Sequence, residues 1–169
     1  MRNFKIVRID SDYCDYLRKF DAKVMYNKGS KKLRPFIGVL VKIDKWKYFA
    51  PLSSPKPKHK LMRNTLDFFK IKNGELGAIN FNNMIPVTEN NYKEIDLYAI
   101  PVDKEERKYQ KMLKEQLAWL NANKNQISNR SYKLYQKYKE NKLSENIRNR
   151  CCNYPLLEIK SIEFNKIHN

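Results

Sequence analysis

The sequence predicts an α+β domain: a compact, partly open antiparallel β-barrel-like core with an N-terminal helix and C-terminal helices. Three observations predict it. Short apolar runs separated by turn residues give five or six strands within about 85 residues near the start of the chain. After Pro101 the apolar spacing changes to the helical period. Strands come first and helices afterwards, without the βαβ alternation of a parallel sheet. A length of 169 residues, with no internal repeat or low-complexity linker, fits one domain over 1–169.

Phe4 to Ile9 is a β-branched run and the first strand. Tyr13, Tyr16, Leu17 and Phe20 recur at i, i+3, i+4 and i+7, behind Asp10, Ser11 and Asp12 as cap and first-turn acids, so a helix follows over 11–22. Acids at a helix start are an ordinary capping pattern, and no ligand cluster accompanies these. Residues 25–35 form a polar loop ending in Pro35. A strand over 36–43, a turn at Asp44 to Trp46 and a strand over 47–52 come next. Ser53-Ser54-Pro55-Lys56-Pro57-Lys58 then breaks the sheet, because neither proline has an N–H to give to a ladder. Leu66, Phe68 and Ile71, then Leu76, Ala78 and Ile79, flank the hairpin signal Asn73-Gly74, and an extended piece surrounds Ile85-Pro86-Val87. Tyr109, Met112, Leu113, Gln116, Leu117 and Leu120 share one face of a helix over 103–126. A second helix over 128–142 carries Tyr132, Leu134, Tyr135 and Tyr138 among lysines, and the tail from Leu156 to Phe164 forms a short third one.

Thirty-five Lys and Arg against eighteen Asp and Glu leave a net charge of +17, while 41% apolar residues still build a core. A folded chain this basic points to a polyanion. Residues 28–63 hold eleven basic side chains and one acid, Asp44, so +10 of the charge sits in 36 residues. Phe36, Ile37, Val39, Leu40, Val41, Trp46, Tyr48 and Phe49 interleave with these cations, which places the charge on a folded surface rather than in a disordered tail. The four glycines make no phosphate-binding loop or dinucleotide fingerprint, and no cofactor is expected. Cys14, Cys151 and Cys152 are odd in number and lack CxxC spacing, which excludes a zinc ribbon and a disulfide framework and fits a reducing compartment. The charged N-terminus and the shortness of the apolar run Phe36–Val41 point to a cytoplasmic protein.

Two histidines, His59 and the near-terminal His168, do not make an acid–base pair, and the basic segment has no carboxylate cluster for magnesium. It offers instead Ser53, Ser54, Lys56, Lys58 and His59 in one kinked loop, with Lys31, Lys32 and Arg34 in the loop before it. If 36–43 and 47–52 pair as a hairpin, Arg34 and the Ser53-Ser54 loop meet at one end of the sheet. Cationic and hydroxyl donors gathered there suit a charged phosphorane. RNA carries its own nucleophile, the 2′-OH, so such a site needs geometry, donors and proton transfer. On spacing alone a serine pair before a proline is more often a plain turn.

Phe20-Asp21-Ala22-Lys23-Val24, Pro35-Phe36-Ile37-Gly38-Val39, Lys47 through Lys56 with His59, Leu76-Gly77-Ala78-Ile79-Asn80 and Asn83-Met84-Ile85-Pro86 follow one another in an order that resembles the ToxN and AbiQ endoribonucleases. These are the toxins of bacterial type III toxin-antitoxin systems, which also act in abortive phage infection. The likeness continues through Tyr109–Leu117 and Cys152–Glu158, and Tyr48 to His59 is its most specific block. It implies a barrel-like core similar to the Kid and MazF toxins. It also implies metal-independent RNA cleavage to a 2′,3′-cyclic phosphate and a 5′-hydroxyl. The implied partner is a small repetitive RNA antitoxin, processed into pseudoknotted units that inhibit the toxin in a cyclic assembly such as 3:3. Cellular and phage RNA are the implied substrates.

The same resemblance suggests roles. Ser53 and Ser54 match the family's hydroxyl pair, one or other positioning the scissile phosphate, and Lys56 matches the lysine after the proline. Arg34 stands where the family has a basic residue, able to hold a phosphate bidentately and, with Lys56, to stabilise the phosphorane. Tyr26 is the candidate active-site aromatic, and Lys31, Lys32, Lys58, His59 and Lys60 are RNA-binding neighbours. A tyrosine (pKa about 10) or lysine (about 10.4) would take the 2′-OH proton only if the basic pocket depressed its pKa. The alternative is a non-enzymatic basic RNA-binding module, for which the charge and the aromatics at 36, 46, 48 and 49 suffice. A DNA-binding repressor has only residues 128–142 as a feeble recognition helix.

Overall fold

The computed structural model describes residues 2–25 and 37–168. Strand β1 (Ile6–Ile9) leads into helix α1 (Ser11–Arg18). The helix stops short of residue 22 because Arg18 turns back, its Nε and Nη2 donating to the carbonyls of Val24 and Met25. Strands β2 (Ile37–Ile43) and β3 (Trp46–Ser53) form the central hairpin, with Asp44 at φ 53° in its tight turn. Its register sets Gly38 opposite Pro51 and Ile43 opposite Trp46. A short helix α2 (Pro57–Leu61) follows, then strands β4 (Phe68–Lys70), β5 (Ala78–Asn80), β6 (Ile85–Val87) and β7 (Tyr92–Glu94). Four helices end the chain: α3 (Lys104–Ala122), α4 (Lys124–Lys139), α5 (Glu145–Arg150) and α6 (Tyr154–His168).

The strands make one antiparallel sheet in the order β4-β5-β3-β2-β1-β7, with β6 on the same edge of β3 as β5. Residues 47–49 of β3 pair with β6, while Leu52 and Ser53 pair with β5. Pro51 falls in the interval between these two partners, where a missing N–H costs no ladder bond. The partly open barrel expected from the strand count is, among the described residues, an open antiparallel sheet: β4 and β7 end it without pairing to each other. Strands of three residues at both ends cannot supply the length and stagger that closure requires.

Helix α4 packs on β2, and α6 packs on β6 and α1, so the C-terminal half supplies the second layer of the core. Buried phenols fasten that layer. Tyr13 donates to the Pro86 carbonyl and bonds Ser161 Oγ; Tyr154 donates to the Phe81 carbonyl at 2.9 Å. Tyr48 and Tyr135 both donate to Glu158 Oε2, at 2.7 and 2.8 Å. Burial pushes the Tyr48 and Tyr135 phenols far above the ordinary tyrosine value, and the Glu158 carboxylate adds to the shift. They therefore act as fixed donors rather than acids. No helix among the described residues is long and apolar enough to cross a membrane.

Candidate active site

Ser53 is the last residue of β3 and lies opposite Ala78 of β5. Its half-buried Oγ accepts a hydrogen bond from Asn80 Nδ2 at 2.6 Å. Ser54, Pro55 and Lys56 then leave the sheet, all exposed, and Lys56 takes an extended conformation (φ −134°, ψ 147°) as the N-cap of α2. Pro57 follows at the first helical position, where no N–H is needed. The run of prolines and lysines thus forms a strand end, a turn and one helical turn, and the expected sheet break is explained by the helix start.

His59 ties this turn together. Its backbone N–H donates to the Lys56 carbonyl at 2.9 Å, and its Nδ1 accepts from the Lys56 N–H at 3.2 Å. The ring lies 5.9 Å from that of Phe68 and the residue is only 2% exposed. Burial first, then Lys56 and Lys58, push the imidazole below its ordinary value, so it is neutral at pH 7 with Nδ1 as acceptor. His59, expected among the RNA-binding neighbours, is buried, and its Nδ1 braces the backbone of Lys56. Lys58 and Lys60 are exposed, as are Leu61, Met62 and Arg63 beyond them.

Two glycines of the connection from β4 to β5 shape the back of the site. Gly77, at φ +96°, approaches so closely that a Cβ there would overlap the Ser53 carbonyl oxygen. Gly74, at φ +92°, leaves 2.8 Å between its would-be Cβ and the His59 carbonyl. The Asn73-Gly74 hairpin signal therefore produces a connection over 71–77 that holds both ends of the serine–lysine turn, with a 3-10 turn at Lys72–Gly74. Gln116 of α3 donates to the Leu76 carbonyl at 2.8 Å and fixes that connection from outside the sheet.

Electrostatics favour an anion here. No carboxylate occurs between Asp44 and Asp67. Asp67 is itself buried and held bidentately by Arg150 at 2.8 and 2.9 Å. Burial alone would raise its carboxyl, but Arg150 and the Thr65 hydroxyl outweigh that and hold it below the usual carboxylate range. Among the described residues no group of three His, Cys, Asp or Glu side chains is placed to hold a metal ion. Ser53, Ser54, Lys56, Lys58 and Lys60 thus come together at one sheet end, whereas Tyr26, Lys31, Lys32 and Arg34 lie outside the described residues. Asn80, Gly77 and the Asp67–Arg150 pair are supports that sequence reasoning did not assign. Asn80 and Gly77 stood inside a matched block, but their contacts depend on the β3–β5 register.

A model of the family described as toxin ToxN of the type III toxin-antitoxin system matches residues 5–161. The chain belongs to the ToxN family. Among curated relatives, endoribonuclease ToxN of Pectobacterium atrosepticum is 35% identical, with 96% of this chain and 94% of that protein covered. Endoribonuclease ToxN of Bacillus thuringiensis subsp. kurstaki is 32% identical over 96% of this chain and 84% of its own length. Endoribonuclease AbiQ of Lactococcus lactis subsp. lactis is 31% identical over 94% and 87%. The solved structure of AbiQ, a lactococcal anti-phage endoribonuclease of the type III toxin-antitoxin system, superposes with a TM-score of 0.79 at 28% identity, covering 98% of this chain and 99% of AbiQ. A ToxN-family likeness also extends to a type III system whose toxin is selectively inhibited by a non-coding RNA pseudoknot, with a TM-score of 0.77, 27% identity and coverage of 97% and 99%. The ToxN fold, rather than a closed barrel, is the architecture this chain adopts.

Proposed function

We propose that this chain is the endoribonuclease toxin of a type III toxin-antitoxin pair, active in growth arrest and abortive phage infection. The observation that carries the reading is the braced Ser53-Ser54-Pro55-Lys56 turn at the end of β3, in a chain of the ToxN family. Ser53 or Ser54 positions the scissile phosphate, and Lys56 with Arg34 stabilises the phosphorane as charge develops on it. The 2′-OH loses its proton, the O2′–P bond forms, the P–O5′ bond breaks and the 5′ oxygen takes up a proton. The products are a 2′,3′-cyclic phosphate and a 5′-hydroxyl. Because the ribose supplies the nucleophile, cationic donors suffice without a metal. Tyr26 is the candidate aromatic at the site, and Lys31, Lys32, Lys58 and Lys60 are the candidate RNA-binding residues around it.

The partner in this reading is a small repetitive RNA antitoxin that the toxin processes into folded, pseudoknot-like units. Those units fill the same basic groove as substrate does and, retained there, close toxin and RNA into a cyclic assembly such as 3:3. An inhibitor built of RNA accounts for a net charge of +17 without a DNA-reading helix. The test is cleavage of bacterial RNA in excess EDTA with the new ends characterised. Full activity in EDTA, cyclic-phosphate ends and a block when deoxyribose replaces the ribose at the cut site are expected. Loss of activity in EDTA, or 3′-hydroxyl ends, overturns the mechanism. In a bacterial host the wild-type chain should arrest growth and Lys56→Ala should not, whereas a mere RNA-binding module would be tolerated in both forms.

A further inference from the structure

The hydroxyl of Ser53 has a partner of its own. Asn80, the last residue of β5, directs Nδ2 to Ser53 Oγ at 2.6 Å. A serine hydroxyl has one proton to donate and lone pairs with which to accept. An amide N–H that occupies an acceptor position leaves the O–H unspent and turned away from the amide. We infer that Asn80 is a positioning residue for the cleavage reaction: by donating to Ser53 Oγ it sets Ser53 as a hydrogen-bond donor toward the scissile phosphate. This inference rests on the site reading above and deepens it, because it says what directs the Ser53 hydroxyl to the phosphate.

The surroundings hold Asn80 to that task. Its backbone is opposite Phe68 of β4, and the next residue, Phe81, is fully buried with its carbonyl bonded by the Tyr154 hydroxyl. Ser53 is fixed in turn by its pairing to Ala78 and by the approach of Gly77 to its carbonyl. The side chain required at position 80 is therefore a short neutral donor. A carboxylate of the same shape accepts instead, so it draws the Ser53 proton inward, away from the phosphate. No bond forms to Ser53 in the reaction, and the covalent changes remain those between O2′, phosphorus and O5′.

The experiment compares wild type, Asn80→Asp, Asn80→Ala, Ser53→Ala and the double variant Ser53→Ala/Asn80→Asp. The substrate is a short single-stranded RNA bearing the site that the wild-type chain cuts most readily in bacterial RNA. Expected is a fall in kcat of about 10²-fold for Asn80→Asp, the scale of losing one preorganised donor. Asn80→Ala should lose about 10-fold, since a freely rotating hydroxyl still donates part of the time. KM, and binding of the same RNA with deoxyribose at the cut site, should change little. In the Ser53→Ala background Asn80→Asp should have no further effect, because the residue acts through Ser53. Wild-type kcat in both Asn80 variants, or an equal loss from Asn80→Asp with and without Ser53, overturns the inference. Ser53→Ala cleaving at the wild-type rate also overturns it and leaves the phosphate to Ser54, whereas Lys56→Ala cleaving at the wild-type rate overturns the site reading itself. If Asn80→Asp loses RNA binding and melts early, the uncharged Asn80→Ala decides by the same kcat criterion.

Discussion

Gly77 sits at φ +96° with its α-carbon against the carbonyl of Ser53, so two independent costs attach to any side chain there. A left-handed conformation is unfavourable for alanine, and the new methyl group would push the Ser53 backbone away. Gly77→Ala should lower stability by about 2–3 kcal/mol in a urea titration. It should also reduce kcat at least tenfold under conditions where the protein remains folded, because the displaced group is the proposed phosphate donor. An alanine variant with wild-type kcat and normal stability would show that this contact does not position the turn. Ser53, Ser54 and Lys56 were legible as a group because they are adjacent in the chain. Asn80 and Gly77 were not, since their roles come from the pairing of β3 with a strand 25 residues further on, and local sequence does not encode register. The burial of His59 was not legible for a related reason: a histidine among lysines reads as surface, and only its packing against Phe68 places it inside.

At the scale of elements, α2 is the piece that sequence reasoning passed over and that the site depends on. Five residues are too few for a periodicity to be read, and the same holds for β7 and for the polar α5, which buries no residue. Longer elements with a clear apolar face were legible, although Asn123 divides α3 from α4 a few residues before the expected break, and α6 runs from Tyr154 to His168 rather than from 156 to 164. The short α2 is joined to the site by the contact between His59 Nδ1 and the Lys56 N–H. The His59 imidazole is held below the ordinary value by burial, then by Lys56 and Lys58; the Phe68 ring of β4 faces it, and the Gly74 backbone approaches the His59 carbonyl. The unfolded chain, titrating near pH 6.5, binds this proton more readily than the folded one. Stability from this group is therefore complete above about pH 6.5 and declines as the pH falls toward the folded-state value. Protonated Nδ1 no longer accepts from Lys56, so kcat/KM should show a reversible acid limb below about pH 6.5. His59→Gln, whose amide oxygen still accepts, should shift or abolish that limb; an unchanged limb assigns it to another group.

At the scale of the whole molecule, strand count and order predicted an antiparallel sheet followed by helices, but not whether the sheet closes. Closure depends on the two terminal strands finding each other, and β4 and β7, with three residues each, are too short to do so. The concentration of charge was legible, since the sequence itself places +10 of it in residues 28–63. Of the cations in residues 28–63, Lys58, Lys60 and Arg63 are exposed on and just after α2, beside the serine–lysine turn. If they contact phosphates, each releases counterions from the RNA, with a slope of roughly −0.7 in log K against log salt per contact on a single strand. Replacing all three by glutamine should reduce the magnitude of the slope by about 2 and raise KM steeply near physiological salt, while kcat falls much less. Substitution of Ser53 should do the reverse, with a large loss of kcat and an unchanged salt slope, because its hydroxyl donates to one phosphate without displacing an ion. A triple variant with the wild-type slope would mean that RNA crosses the sheet end by a different route, leaving the α2 cations as a solvated face.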